Sequence, residues 1–112
     1  MRNISFQLTK DQILNRTKMV TRRLGWKNLK PGTRLQAVEK GMGLKKGETV
    51  KKLAVIDVVT VRREPLNVIT DSDCADEGFP HFGPLDFVQM FCEHMGCTPE
   101  TMITRIEFKY VE

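Results

Sequence analysis

Nine residues, Asn15-Arg16-Thr17-Lys18-Met19-Val20-Thr21-Arg22-Arg23, hold four cations and two threonines with no acid among them. An exposed cationic run of this kind suits phosphate. Lys18 and Thr21 add a second chemistry, because a lysine that accepts a hydroxyl proton turns that hydroxyl into a nucleophile. A free lysine has a pKa near ~10.4 and must be tuned downward to act as a base. Burial and repulsion from Arg16, Arg22 and Arg23 both act in that direction. On an ideal strand Lys18 and Thr21 would face opposite sides, since side chains alternate. They share a site only if Lys18 sits at a helix exit or a bulge intervenes.

Charge is unevenly spread along the chain. Residues 1–63 carry 16 Lys and Arg against 4 Asp and Glu, a net +12, whereas residues 64–112 carry 2 against 10, a net −8. The basic half points to a polyanion partner, although the two halves could also attract each other. Arg16, Arg22, Arg23, Lys27, Lys30 and Arg34 are the candidate phosphate contacts, and Trp26 among them offers a stacking face. A lone Trp serves equally as a core or rim plug.

The surrounding elements are those of a small α+β domain occupying residues 1–112. Ile4, Phe6 and Leu8 alternate with polar residues, predicting a half-buried strand over Asn3–Leu8. Thr9 and Gln12 have the spacing of a capping box that opens a short helix through Ile13 and Leu14. Lys30-Pro31-Gly32-Thr33 is a turn, followed by a strand over Arg34–Val38. Gly41 to Glu48 is glycine-rich but lacks the Lys-Ser/Thr ending of a phosphate loop, and is expected to form a hairpin tip. Val50–Val61 suits a long central strand. One helical turn is expected at Pro65–Ile69, then an acidic helix capped by Thr70 or Asp71 and ending near Gly78. Pro84–Met95 places Leu85, Val88, Phe91 and Cys92 at helical spacing, with Gly96 as a stop. Met102–Val111 alternates as a closing strand.

The succession of Ile13, Lys18-Met19-Val20-Thr21-Arg22-Arg23, Leu29-Lys30-Pro31-Gly32, Leu53–Val58, Glu64-Pro65-Leu66, Ile69-Thr70, Glu77-Gly78-Phe79 and Ile106-Glu107-Phe108 resembles the ASCH domain family. The resemblance spans nearly the whole chain and implies a small PUA-like β-barrel with short helices packed on it. The family commonly has Lys-Thr-x-Thr in the basic stretch, and Met19 stands here in place of the first Thr. The resemblance implies divided functions. Some members are RNA-binding adaptors, some have been described as ribonucleases, and one branch hydrolyses the acetyl amide of N4-acetylcytidine. The amidohydrolase positions fall on Lys18, Thr21 and Glu77, with Glu64 and Asp76 as neighbouring alternatives for the carboxylate. Glu77 would then protonate the leaving amine or hold a ring nitrogen rather than pair with Lys18. A further reading is a protein-interaction module, docking through the acidic face from Asp71 to Glu77 and needing an exposed apolar patch near Phe79 and Phe82.

No cofactor or metal is expected. Cys92-x-His94-x-x-Cys97 with Cys74 and His81 lacks a Cys-x-x-Cys pair, and its i, i+2 positions diverge on a helix. Asp71, Asp73 and Asp76 lack the glycine and third ligand of a calcium loop. Three cysteines, an odd number, favour a reducing compartment over a disulfide framework. With no apolar run approaching the ~20 residues of a membrane span, a cytoplasmic protein is expected, with RNA or a modified nucleoside as its partner.

Overall fold

The computed structural model describes residues 1–41 and 44–112. In chain order its elements are β1 (Arg2–Ser5), α1 (Lys10–Leu14), β2 (Val20–Arg23), β3 (Arg34–Val38), β4 (Lys52–Pro65), a 3-10 turn (Leu66–Val68), α2 (Asp71–Asp76), α3 (Pro84–Met95) and β5 (Met102–Tyr110). The strands form one sheet in the order β1-β3-β4-β5-β2. β1 is parallel to β3, and the remaining neighbours are antiparallel. The sheet curls into a half-barrel with short helices packed on it, the α+β architecture expected. No helix among the described residues is long and apolar enough to cross a membrane.

β4 is the spine. Its Val- and Ile-rich sequence places it in the middle of the sheet, pairing with β3 over its first half and with β5 over most of its length. A register shift between Val58 and Thr60 inserts Val59 as an unpaired, exposed residue. Such a bulge bends the strand and increases its twist. The hairpin between β3 and β4 forms as expected. Met42 and Gly43 of its glycine-rich tip lie outside the described residues.

Two apolar clusters result. The first fills the concave side of the sheet and includes Ile4, Phe6, Ile13, Leu35, Ile56, Val58, Ile106 and Phe108. The second packs α2, α3 and the 3-10 turn on β5 through Leu66, Ile69, Cys74, Phe87, Val88, Phe91 and Ile103. α2 opens with a reciprocal cap: Thr70 Oγ1 accepts the Asp73 N–H at 3.2 Å, and Asp73 Oδ2 accepts the Thr70 N–H at 3.3 Å. α3 has Pro84 in its first turn, Asp86 accepting the Gly83 N–H at 2.9 Å, and left-handed Gly96 at its end.

Three local expectations need correction. β1 stops at Ser5, because the chain must turn into α1 only a few residues later, and Leu8 is consequently exposed. Thr9 holds the N-cap position without a side-chain cap bond, and Gln12 instead donates to the Gly78 carbonyl at 3.3 Å. Leu85 is 84% exposed while Phe87 is buried. Two residues turn a helix by about 200°, so a stripe centred on Phe87, Val88 and Phe91 excludes Leu85.

Gly78 brings α2 against α1. Its φ is +97°, and a Cβ built there would lie 2.7 Å from Cγ of Gln12, whereas one at Gly96 (φ +64°) meets nothing within 4 Å. Gly78→Ala is expected to destabilise the fold by roughly 2–3 kcal/mol and Gly96→Ala by roughly 1 kcal/mol. Urea denaturation of both variants checks this; equal losses would contradict the close approach.

Candidate functional site

α1 delivers Lys18. Its last turn ends at Asn15, and Arg16 takes a left-handed φ of 61° that redirects the chain. The Thr17 and Lys18 N–H groups then both donate to the Gln12 carbonyl, at 3.0 and 3.2 Å. The Tyr110 hydroxyl donates to the Lys18 carbonyl at 2.6 Å; burial pushes that phenol up to about 12, which keeps it a donor. Next along the chain, the Met19 N–H donates to the Asp76 carbonyl at 2.7 Å. Lys18 therefore sits between helix exit and strand, the condition under which it and Thr21 can share a site.

Lys18 is 2% exposed, and its ammonium is buried with it. It donates to Glu77 Oε1 at 2.6 Å and to the Glu77 backbone carbonyl at 2.8 Å. Glu77 is thus ion-paired with Lys18, contrary to the sequence expectation, because neither charge could be buried here without a partner. Desolvation still dominates. It lowers the Lys18 pKa from the usual lysine value despite the opposing pull of Glu77, and Arg23 and Arg22 add to the lowering. Glu64 and Asp76 do not take the Glu77 position: the Glu64 carboxylate meets Arg62 and Arg22, and Asp76 is exposed.

Arg22 fixes the other side of Glu77. Its Nη1 donates to Glu77 Oε2 at 3.0 Å, and its Nη2 lies 3.0 Å from Asp73 Oδ2 and 3.5 Å from Glu64 Oε2. The Nη2 contacts are too poorly aligned for hydrogen bonds, so their attraction is coulombic, and Nε is buried without a partner among the described residues. Arg22 also stands directly across the β2–β5 ladder from Arg105. Like charges in that position repel. Asp73 bridges them, with Arg105 donating to its Oδ1 at 3.0 Å. Arg22, expected as a phosphate contact, is spent within this network and presents no cationic surface to solvent.

Thr21 and Arg23 lie on the alternate face of β2. Arg23 Nε donates to Thr21 Oγ1 at 3.1 Å, and Arg23 Nη2 donates to the Ser5 carbonyl at 2.6 Å, across the gap between edge strands β2 and β1. Its guanidinium lies 4.8 Å from the Phe6 ring centre, and burial, offset in part by Glu77, lowers its pKa to about 10. Among the described contacts Thr21 has no hydrogen bond to Lys18. A cavity of about 190 Å³ occupies this seam. Lys18, Thr21, Arg22, Arg23 and Glu77 form its polar wall, and Phe79, Phe87, Met90 and Phe91 its apolar wall. Because β2 is an edge strand, residues from both of its faces reach the same space.

The remaining candidates are dispersed. Arg16 pairs with Glu112, and Arg34 grips Asp57 through two bonds of 2.8 and 3.1 Å. Lys27 and Lys30 are exposed. Trp26 is half-buried against the first core, with the Arg2 guanidinium 4.4 Å from its ring centre. Phe79 and Phe82 stack at 5.0 Å and pack on the second core rather than forming an exposed patch. Among the described residues no three His, Cys, Asp or Glu side chains gather as a metal would require. Asp73, Arg105, Tyr110 and the apolar wall belong to the site without having been expected from the sequence. The Phe87/Phe91 spacing of one helical turn was a visible signal for that wall; the others meet only through tertiary contacts.

Asp73 supplies a pH test. Burial raises its pKa, but Arg105 and Arg22 together hold it below the usual carboxylate value. A depressed folded-state pKa means the stabilisation is present above the ordinary value, near ~3.9, and is lost as pH falls through the folded value. Asp73→Asn is expected to cost about 3 kcal/mol at neutral pH and to flatten the decline in melting temperature below about pH 4. Parallel pH profiles for the variant and the wild type would refute this role.

No protein-family model matches the chain, and no curated protein sequence matches it. Solved structures do. An ASCH domain from Lactobacillus crispatus JV V101 aligns with a TM-score of 0.61 at 17% identity, over 97% of this chain and 78% of that one. The protein EF3133 from Enterococcus faecalis V583, described by the family model DUF984, aligns with a TM-score of 0.63 at 16% identity, over 91% of this chain. This chain spans 66% of that protein, just under two thirds of its length. The hypothetical protein PH0355 aligns with a TM-score of 0.68 at 12% identity, over 99% of this chain and 100% of that one. At such identities the likeness is one of fold, shared with that ASCH domain.

Proposed function

We propose that the seam cavity binds an acylated cytosine and hydrolyses its amide through Lys18, Thr21 and Glu77. The observation that carries this reading is the convergence of those three side chains on one wall of a 190 Å³ cavity faced by aromatic residues. An apolar cavity of ~150 Å³ accommodates benzene, so this volume suits a pyrimidine with a short acyl group. Phe79, Phe87 and Phe91 give the ring an apolar wall.

The 2.6 Å contact between Lys18 Nζ and Glu77 Oε1 supports the proton chemistry. Moving one proton across it gives a neutral amine and a carboxylic acid with no net change in buried charge. Neutral Lys18 then accepts the Thr21 proton as Oγ1 attacks the acyl carbonyl, and Glu77 protonates the leaving nitrogen as the C–N bond breaks. Water attacks the resulting Thr21 ester and gives a proton to Glu77, while Lys18 returns one to Thr21. Arg23, already bonded to Thr21 Oγ1, is the cation best able to stabilise the developing oxyanion. Lys18 must swing from Glu77 toward Thr21 during turnover, a rearrangement in keeping with looser hydrogen bonding in unliganded sites.

A non-catalytic RNA adaptor is the alternative. It draws on exposed Lys27 and Lys30, but pairing of Arg16 and Arg34 and burial of Arg22 reduce the cationic surface it needs.

Release of cytidine from N4-acetylcytidine, followed by chromatography, tests the enzymatic reading. Wild type is expected to turn over, and Lys18→Met and Thr21→Val to lose about 10²–10⁴-fold in rate. Lys18→Met leaves Glu77 paired with Arg22 and removes a poorly solvated cation, so its stability should stay within about 1–2 kcal/mol of wild type. No turnover by wild type, or equal turnover by Lys18→Met, would refute the assignment. RNA binding that weakens steeply with salt and survives Lys18→Met would establish the adaptor instead.

A further inference from the structure

Cys92 and Cys97 lie outside the cavity chemistry, yet their sulfurs are 4.0 Å apart. Both are half-buried, unlike the buried Cys74. The reason for their proximity is the way α3 ends. Gly96 turns left-handed, its N–H donates to the Cys92 carbonyl at 2.8 Å, and the Cys97 N–H reaches the same carbonyl at 3.3 Å. A helix end of this type normally brings an apolar side chain just past the glycine against one in the last turn. Here both members of that contact are cysteines.

We infer that Cys92 and Cys97 are a paired oxidation site that closes to an intrachain disulfide on reaction with a small-molecule disulfide of the glutathione class. This inference is independent of the amide-hydrolysis reading. A disulfide has sulfurs about 2.05 Å apart, so closure from 4.0 Å needs roughly 2 Å of approach. Cys97, beyond the helix, attacks first: its thiolate bonds one glutathione sulfur and releases the other as glutathione thiol. Cys92 then attacks the Cys97 sulfur, losing its proton to solvent and expelling the second glutathione. Two cysteine sulfurs are oxidised and one glutathione disulfide is reduced to two thiols. Burial, together with the neighbouring Cys97, pushes the Cys92 thiol up, which makes this second step the slower one. Met90, Phe91, His94 and Met95, on the last two turns of the same helix, line the seam cavity. The disulfide would therefore fasten the helix end whose residues line the cavity.

The test equilibrates the full chain in glutathione buffers of graded redox poise, quenches with an alkylating agent in denaturant, and maps the peptides. The expected result is paired loss of two alkylatable thiols with a Cys92–Cys97 cross-linked peptide, while Cys74 remains alkylated. Cys92→Ser should abolish the cross-link and accumulate a glutathione adduct at Cys97. Adducts on each cysteine without a cross-link, or a cross-link engaging Cys74, would overturn the inference.

Discussion

The structure depends on a buried cation and a buried carboxylate meeting where the sheet fails to close. β1 and β2 are the two edges of the half-barrel. Unpaired strand edges invite wrong pairing and have to be covered. Across this gap the covering is done by side chains: Arg23 spans to the Ser5 carbonyl, and Lys18 and Arg22 reach over to Glu77 at the end of α2. A seam closed in this way leaves a chamber, which a continuous backbone ladder would not.

Much of the surrounding architecture makes those charges tolerable. Asp73 separates Arg22 from Arg105, caps α2 and so sets where Glu77 falls. Gly78 lets α2 end close to Gln12, and Tyr110 pins the Lys18 carbonyl. Even so, desolvation of Lys18 exceeds the attraction of Glu77. The charge asymmetry along the chain is partly accounted for in the same way, since Lys18 and Arg22 of the basic half are neutralised by Glu64, Asp73 and Glu77 of the acidic half.

Local rules made much of the fold legible. Lys30-Pro31-Gly32-Thr33 turns with Gly32 at φ +88°, β3 occupies Arg34–Val38, and α3 runs from Pro84 to Met95 before left-handed Gly96. Punctuation by proline and glycine acts over a few residues, so it can be read directly. The ends of β1, the fate of Gln12 and the exposure of Leu85 were not legible, because packing partners distant in sequence decide them. The same limit applies to the site. Lys18 and Glu77 are 59 residues apart, and nothing in either segment alone requires that they meet; the resemblance in motif order implied a shared site, but not the direct ion pair. Arg22 shows the converse, since its sequence context reads as a surface cation and only the fold reveals three carboxylates around it.

Nitrogen-detected NMR of the Lys18 side chain reads the burial and pairing of its ammonium. Its ammonium protons are expected to be protected from solvent exchange and its pKa to lie below the ordinary ~10.4, lowered further in Glu77→Gln because the carboxylate holds it up. An ammonium that exchanges freely, titrates like a surface lysine and ignores Glu77→Gln would contradict both.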